Sequence, residues 1–382
     1  MTSRTVDVIA RGPPSTDPYD PAAEAWALAA ALAARGDRVV VLHPAGSPGT
    51  APPPGTTAVP VELPLRRPGA AVEGAEFAAA AARRLRPDAD LVLRDPAGLG
   101  KLGLHRSARG GPVLGAFVRE VELATFDRER GGRAPTGIRD RIDTWRDRRA
   151  VRRLEEAALR EADRLFYDSP ALPPELRKEY AIPERRFRPA LPSVPFLSEP
   201  PTRDAARASF RIPADVPVVA TLAAFEQSDL AGVDLAREAF RRVRSFFPGA
   251  RLIVAGAMAP NEPGVAVAEA RDSATFARAL VAADVVVFPR RPPGFDPGVV
   301  LALRAQRCVL AGPSVRLPVD PSAALRTVAS DDPGEFASAL AELLADPAVR
   351  RTLASAGERY AAPFEPARVA EVVDAATQVG AA

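Results

Sequence analysis

The stretch Ala282-Ala283-Asp284-Val285-Val286-Val287-Phe288-Pro289-Arg290-Arg291-Pro292-Pro293-Gly294-Phe295-Asp296 decides how the chain is to be read. Its unbroken β-branched and aromatic run, Val285 to Phe288, predicts the central strand of an open α/β sheet. Pro289 stops the run. The Pro- and Gly-rich turn that follows delivers the carboxyl end of the strand to a crevice of the kind in which such sheets bind ligands.

Working outward, apolar runs and helical patterns alternate through the chain. Val6 to Ala10 reads as a strand, Ala22 to Arg35 as a helix stopped by Gly36, and Val39 to Leu42 as the next strand. This is a βαβ unit, whose right-handed crossover makes a parallel sheet the economical reading. Further strands are expected at Leu91 to Leu93, Val113 to Val118 and Asp163 to Ser169, with helices near Glu76 to Leu85 and Ile138 to Ala162. Residues 183 to 217 are Pro-rich and without periodicity, which predicts a linker. The alternation restarts with strands at Val218 to Leu222, Leu252 to Ala255 and Cys308 to Leu310, and helices at Gly232 to Phe246, Ser273 to Val281 and Pro333 to Ala345.

With 382 residues, 47% of them hydrophobic, the chain is longer than one core supports and rich enough to fill two. A net charge of +3, from 51 basic and 48 acidic residues, gives nucleic acid binding little support. Cys308 is the single cysteine, which excludes an internal disulfide framework; in the run Cys308-Val309-Leu310-Ala311 it reads as a small core residue. The amino terminus lacks the apolar core of a signal peptide, and no uncharged apolar stretch is long enough to span a bilayer, so a cytoplasmic protein is expected.

From Ala282 to Ala311 the pattern resembles the donor-sugar loop of the retaining family 4 glycosyltransferases (glycosyl transferases group 1). The turn Arg35-Gly36-Asp37-Arg38-Val39 is similar to the first unit of that family, and Glu161 to Pro183 to the close of its amino-terminal domain. The resemblance implies an α/β, GT-B fold: two Rossmann-like domains with parallel sheets facing a cleft. It places an acceptor-side domain at 1–195, with the linker from about 183, a nucleotide-sugar-side domain at 196–363, and at 364–382 a helix packing back toward the first domain. The activity it implies is transfer of a sugar, with retention, from a nucleotide-diphosphate sugar to a glycan, lipid or small-molecule acceptor, with no cofactor and no metal. The partners implied are the nucleotide sugar and a glycan or lipid-linked acceptor.

The family's usual donor-site side chains are replaced here. Pro293 and Leu301 stand where its two glutamates would be, and neither side chain can accept a hydrogen bond. Ala223-Ala224-Phe225-Glu226 and Leu230-Ala231-Gly232 stand in place of its Gly-Arg and Lys-Gly. A rearranged donor site would draw on Arg290 and Arg291, whose guanidinium groups suit phosphate, on Gly294 and Phe295 in the loop, and on Asp296 and Glu226 for hydroxyls. Exposed arginines and solvent-facing loop carboxylates are the plainer alternatives. Gly12, in the first loop Arg11-Gly12-Pro13-Pro14, is the candidate for approach to the donor phosphate. On the acceptor side, Arg94-Asp95 and Arg119-Glu120 follow strands and suit either hydroxyl or anion binding or salt-bridged strand ends. His43 reads as structural and His105 as solvated. No cluster has metal-ligand spacing.

Ten arginines fall between Arg128 and Arg153, interleaved with Asp140, Asp143, Asp147 and Trp145. The segment reads as a solvated helix with internal ion pairs, or as a peripheral membrane contact on acidic lipid. The missing donor residues motivate a second function: a catalytically inactive relative that binds a glycan or a partner glycosyltransferase.

Overall fold

The strand at Val285 belongs to a six-stranded sheet, and a seven-stranded sheet precedes it in the chain. The structure is a computed structural model, which describes residues 3–15, 17, 19–20, 22–46, 49–62, 70–94, 101–103, 111–119, 121–131, 138–195, 200–223, 227–257, 262–270, 272–289 and 295–378. The strands are β1 (Thr5–Ile9), β2 (Arg38–Pro44), β3 (Thr56–Val61), β4 (Leu91–Arg94), β5 (Val113–Val118), β6 (Arg164–Tyr167) and β7 (Phe187–Pro189) in one sheet. The other holds β8 (Val218–Leu222), β9 (Arg251–Ala255), β10 (Val265–Ala268), β11 (Val285–Phe288), β12 (Cys308–Ala311) and β13 (Arg326–Thr327). Their orders are β3-β2-β1-β4-β5-β6-β7 and β10-β9-β8-β11-β12-β13, and every pairing is parallel. Both are the doubly wound order of Rossmann-like sheets.

The helices are α1 (Ala23–Ala34), α2 (Ala70–Ala82), α3 (Glu122–Gly131), α4 (Ile138–Glu161), α5 (Leu172–Tyr180) and α6 (Arg203–Ser209). They continue with α7 (Gln227–Val243), α8 (Ser273–Ala282), α9 (Pro297–Arg304), α10 (Pro333–Ala345), α11 (Pro347–Ala361) and α12 (Pro366–Gln378). Two compact units result, one of Met1–Ser15, Pro21–Ser193 and Pro366–Ala382, the other of Thr16–Asp20 and Val194–Glu365. The last helix thus counts with the first unit. Val369, Ala370, Val373 and Ala376 of α12 join a core containing Trp26, Leu28 and Leu32 of α1, and the Asp374 carboxylate binds Arg35 at 2.6 Å and Arg4.

A recurring Ala-Asp pair explains how central strands are registered. Asp90, Asp163 and Asp284 each precede a strand, β4, β6 and β11. Each donates its backbone N–H, at 2.8 Å, to the carbonyl of one residue on the neighbouring strand: Thr5, Leu114 and Val218. The side-chain Oδ2 of the same aspartate accepts that residue's N–H at 2.7, 3.0 and 2.8 Å. A short carboxylate can complete this two-bond exchange at a strand start, where a backbone donor would otherwise be orphaned.

Residues 183 to 217 hold more structure than a linker. Phe187–Pro189 is the edge strand β7, pairing Phe187 with Leu165, and Arg203–Ser209 is α6. Arg207 explains why α6 stays put. Its guanidinium is buried and donates to the carbonyls of Ala282 (3.1 Å), Val216 (3.1 Å) and Ala214, and to Asp284 Oδ2 at 3.0 Å.

Candidate functional site

Ligands of doubly wound sheets bind outside the carboxyl ends of the strands, where the strand order reverses. The reversal falls between β1 and β4 in the first sheet and between β8 and β11 in the second. Among the residues expected from the sequence, Gly12 follows β1 and Arg94 ends β4 at the first switch point. Arg119 follows β5, one strand further along. Phe295 and Asp296 follow β11 at the second switch point. Asp95, Glu120, Glu226, Arg290, Arg291 and Gly294, and also His105, lie outside the described residues.

At the first switch point the Gly12 carbonyl accepts the Trp26 indole N–H at 2.9 Å. A Cβ on Gly12 would meet Ala22 at an ordinary 3.5 Å, so no close approach inside the protein demands glycine. Arg94 is 2% exposed and lines a small cavity with Glu24, Leu28 and Phe117. Arg119 is engaged on several sides. It pairs with the Glu24 carboxylate, donates to the Ala190 carbonyl at 2.9 Å, approaches Asp168 at 3.8 Å and lies 5.2 Å from the centre of the Phe117 ring. Burial pushes the Asp168 carboxyl up, against the pull of Arg119. Glu24 also accepts the Ser193 N–H at 3.3 Å. Glu24 and Asp168 therefore belong to this cluster, and the sequence reading did not name them. The sequence hint was an acidic residue in the first turn of an expected helix. His43 is buried, with Nδ1 3.0 Å from the Pro44 carbonyl and its ring centre 5.9 Å from that of Trp26.

At the second switch point Asp296 is the N-cap of α9. Its Oδ1 accepts the Gly298 N–H at 2.9 Å, and Pro297 occupies the first helical position, where a missing N–H costs nothing. Phe295 stacks on Phe364, with ring centres 5.8 Å apart and planes within 5°. Leu301, at the place of the family's second glutamate, is 3% exposed and packs inward from α9. Cys308 is buried in β12, and burial pushes its thiol up to about 12, far from a reactive thiolate.

On α4 a surface groove is lined by Trp145, Arg148, Arg149, Arg152, Arg153 and Glu156. Arg148 pairs with Asp127 at 2.8 Å and Arg152 with Glu179 at 3.2 Å, while Arg149 lies 5.3 Å from the centre of the exposed Trp145 ring. Among the described residues no group of His, Cys, Asp and Glu could hold a metal ion, and no helix is long and apolar enough to cross a membrane.

No protein-family model matches the chain, and no curated protein does. Solved structures do match it, end to end. Sucrose-phosphate synthase from Thermosynechococcus elongatus superposes with a TM-score of 0.71 at 19% identity, covering 98% of each chain. WaaG, a glycosyltransferase involved in lipopolysaccharide biosynthesis, gives 0.69 at 17% identity over 99% of this chain and 100% of its own. Anabaena HepE in complex with UDP-glucose gives 0.63 at 12% identity over 98% and 99%. At such identities the likeness speaks for architecture alone. With its two doubly wound parallel sheets, the chain has the GT-B fold of group 1 type glycosyltransferases.

Proposed function

We propose that the protein binds a nucleotide-diphosphate sugar at the carboxyl ends of β8 and β11 and transfers the sugar, with retention, to a glycan, lipid or small-molecule acceptor. What supports this reading is one observation: two doubly wound parallel sheets, each with a switch point, in a chain that superposes end to end on glycosyltransferases. As the sugar bond breaks, negative charge gathers on the leaving diphosphate, and guanidinium groups are suited to stabilise it. Arg290 and Arg291 supply two such groups directly after the strand. The test is a transfer assay on Arg291→Ala. Transfer should be lost while the thermal unfolding midpoint stays near that of the wild type; undiminished turnover would remove Arg291 from the mechanism. The same assay with acidic phospholipid vesicles reads whether the arginine-rich face of α4 recruits a lipid surface, and no rise in transfer counts against that contact.

A second reading, a catalytically inactive protein that binds a glycan or a partner glycosyltransferase, is favoured by a different observation. Leu301 is buried where the family's second glutamate would be, and Asp296 is spent on capping its own helix.

A further inference from the structure

Val151, Glu155 and Leu159 of α4 are buried, which fixes the side of the helix that faces out. On that outer side Trp145, Arg148, Arg149, Arg152, Arg153 and Glu156 line a groove of about 370 Å³, within the size range of ligand sites. The helix beneath the groove is anchored. Its buried Glu155 carboxylate accepts the N–H groups of Glu122 and Leu123 at the start of α3 and the Tyr180 hydroxyl at the end of α5.

The guanidinium groups of the groove are of two kinds. Arg148 is held by both carboxylate oxygens of Asp127 on α3, at 2.8 and 2.9 Å, and Arg152 by Glu179 on α5 at 3.2 Å. These pairs tie the groove to the neighbouring helices, and their charge is compensated. Arg149 and Arg153 are exposed, and among the described residues no carboxylate pairs with either; Glu156, the carboxylate in the groove, pairs with Arg160 at 2.8 Å. Arg149 lies 5.3 Å from the centre of the Trp145 ring, a cation–π contact that orients a ring left 58% exposed. Trp145, Arg149 and Arg153 thus form one row, with successive members four residues and about 6 Å apart along the helix.

Each member of this set asks for a different feature of a ligand. An exposed indole offers an apolar plane, uncompensated guanidinium groups grip a carboxylate with two N–H donors, and the Glu156 carboxylate accepts hydroxyl protons. A sugar acid carries all three features on one ring: a face of C–H groups, a carboxylate and hydroxyls. An acidic bilayer matches less well. Insertion needs several apolar side chains, and Trp145 is the only large hydrophobic residue exposed among the described residues of α4. Asp127, Glu179 and Glu156 also set carboxylates among the arginines, the wrong sign for a lipid surface or a phosphate polymer.

We infer that this groove is a binding site for an acidic glycan built of uronic-acid units, with Trp145 stacked on a sugar ring and Arg149 and Arg153 on its carboxylates. The groove is made by α4 alone and shares no residue with the strand ends where the sugar donor is proposed to bind. The inference therefore stands or falls without the nucleotide-sugar reading.

Titration of the full chain with a short oligogalacturonate tests it, followed by calorimetry and by tryptophan fluorescence. The fluorescence reports on Trp145, because Trp26, the other tryptophan, is buried. The wild type should bind with a change in fluorescence, and the methyl ester of the same oligomer, which keeps the rings and loses the charge, should bind at least about tenfold more weakly. Calorimetry on the double variant Arg149→Ala/Arg153→Ala, and on Trp145→Ala, should show a loss of about tenfold or more in each, with the unfolding midpoint near that of the wild type because all three side chains are exposed. No binding by the wild type, or equal binding by the ester or by either variant, would overturn the inference. Tighter binding to phosphatidylserine vesicles or to a single-stranded oligothymidylate than to the oligogalacturonate would also overturn it, by putting a membrane or a nucleic acid in the groove.

Discussion

Asp296 can serve a bound sugar or its own helix, and the geometry commits it to the helix. Its Oδ1 is 2.9 Å from the Gly298 nitrogen, and it is 7% exposed. Replacement by Ala should cost about 0.5–2 kcal/mol of unfolding free energy, whereas Asn, an equally good cap, should cost a few tenths at most. Urea denaturation checks this, and an Ala variant as stable as the wild type would contradict the capping role. The sequence reading took Asp296 for sugar hydroxyls and passed over a pattern that marks a cap. Asp296-Pro297, Asp332-Pro333 and Asp346-Pro347 all spell an N-cap followed by proline at the first helical position, and all three aspartates cap. Arg119 is the opposite case. The sequence places it beside Glu120, but the carboxylate that holds it is Glu24, 95 positions away. Nothing local announces a partner brought in by the sheet.

Among the elements, the strands read from the sequence are the central ones of both sheets, and the strands missed are the four edges, β3, β7, β10 and β13. A central parallel strand is buried on both faces and must be apolar throughout. An edge strand is held to neither condition. β3 carries Pro60 and exposed positions, β7 ends in Pro189, and both residues of β13 are exposed. Buried polar contacts between helices were equally silent. Glu155 of α4 accepts the N–H groups of Glu122 and Leu123 at the start of α3, at 2.8 and 3.1 Å, and the Tyr180 hydroxyl at the end of α5. Burial outweighs these donors and holds the carboxyl above its ordinary 4.5. A raised carboxyl favours the protonated folded state. Its contribution to stability is therefore complete below the unfolded value near 4.5 and is lost as pH rises through the folded value. The stability of the wild type relative to Glu155→Gln should accordingly decline as pH rises from 4.5 through the raised folded value, by about 1.4 kcal/mol for each pH unit the carboxyl is raised. A difference that stays constant across that range would contradict the account.

At the scale of the whole molecule, length and the restart of alternation at Val218 pointed to two doubly wound units. The chain divides discontinuously: α12, in the stretch 364–382 expected to pack back toward the first domain, counts with the first unit, and Asp17, Tyr19 and Asp20 count with the second. The assignment of these three was not legible. The site is legible as a location and not as a chemistry, because strand order fixes where a ligand sits while fold leaves the reaction open. The central claim is that this location takes a nucleotide sugar. Calorimetric titration with a panel of UDP-, GDP- and ADP-sugars tests it most directly, since no acceptor is needed. The account predicts micromolar binding by one donor, lost in Arg291→Ala. No binding by any of them would contradict it and leave the inactive, partner-binding reading in its place.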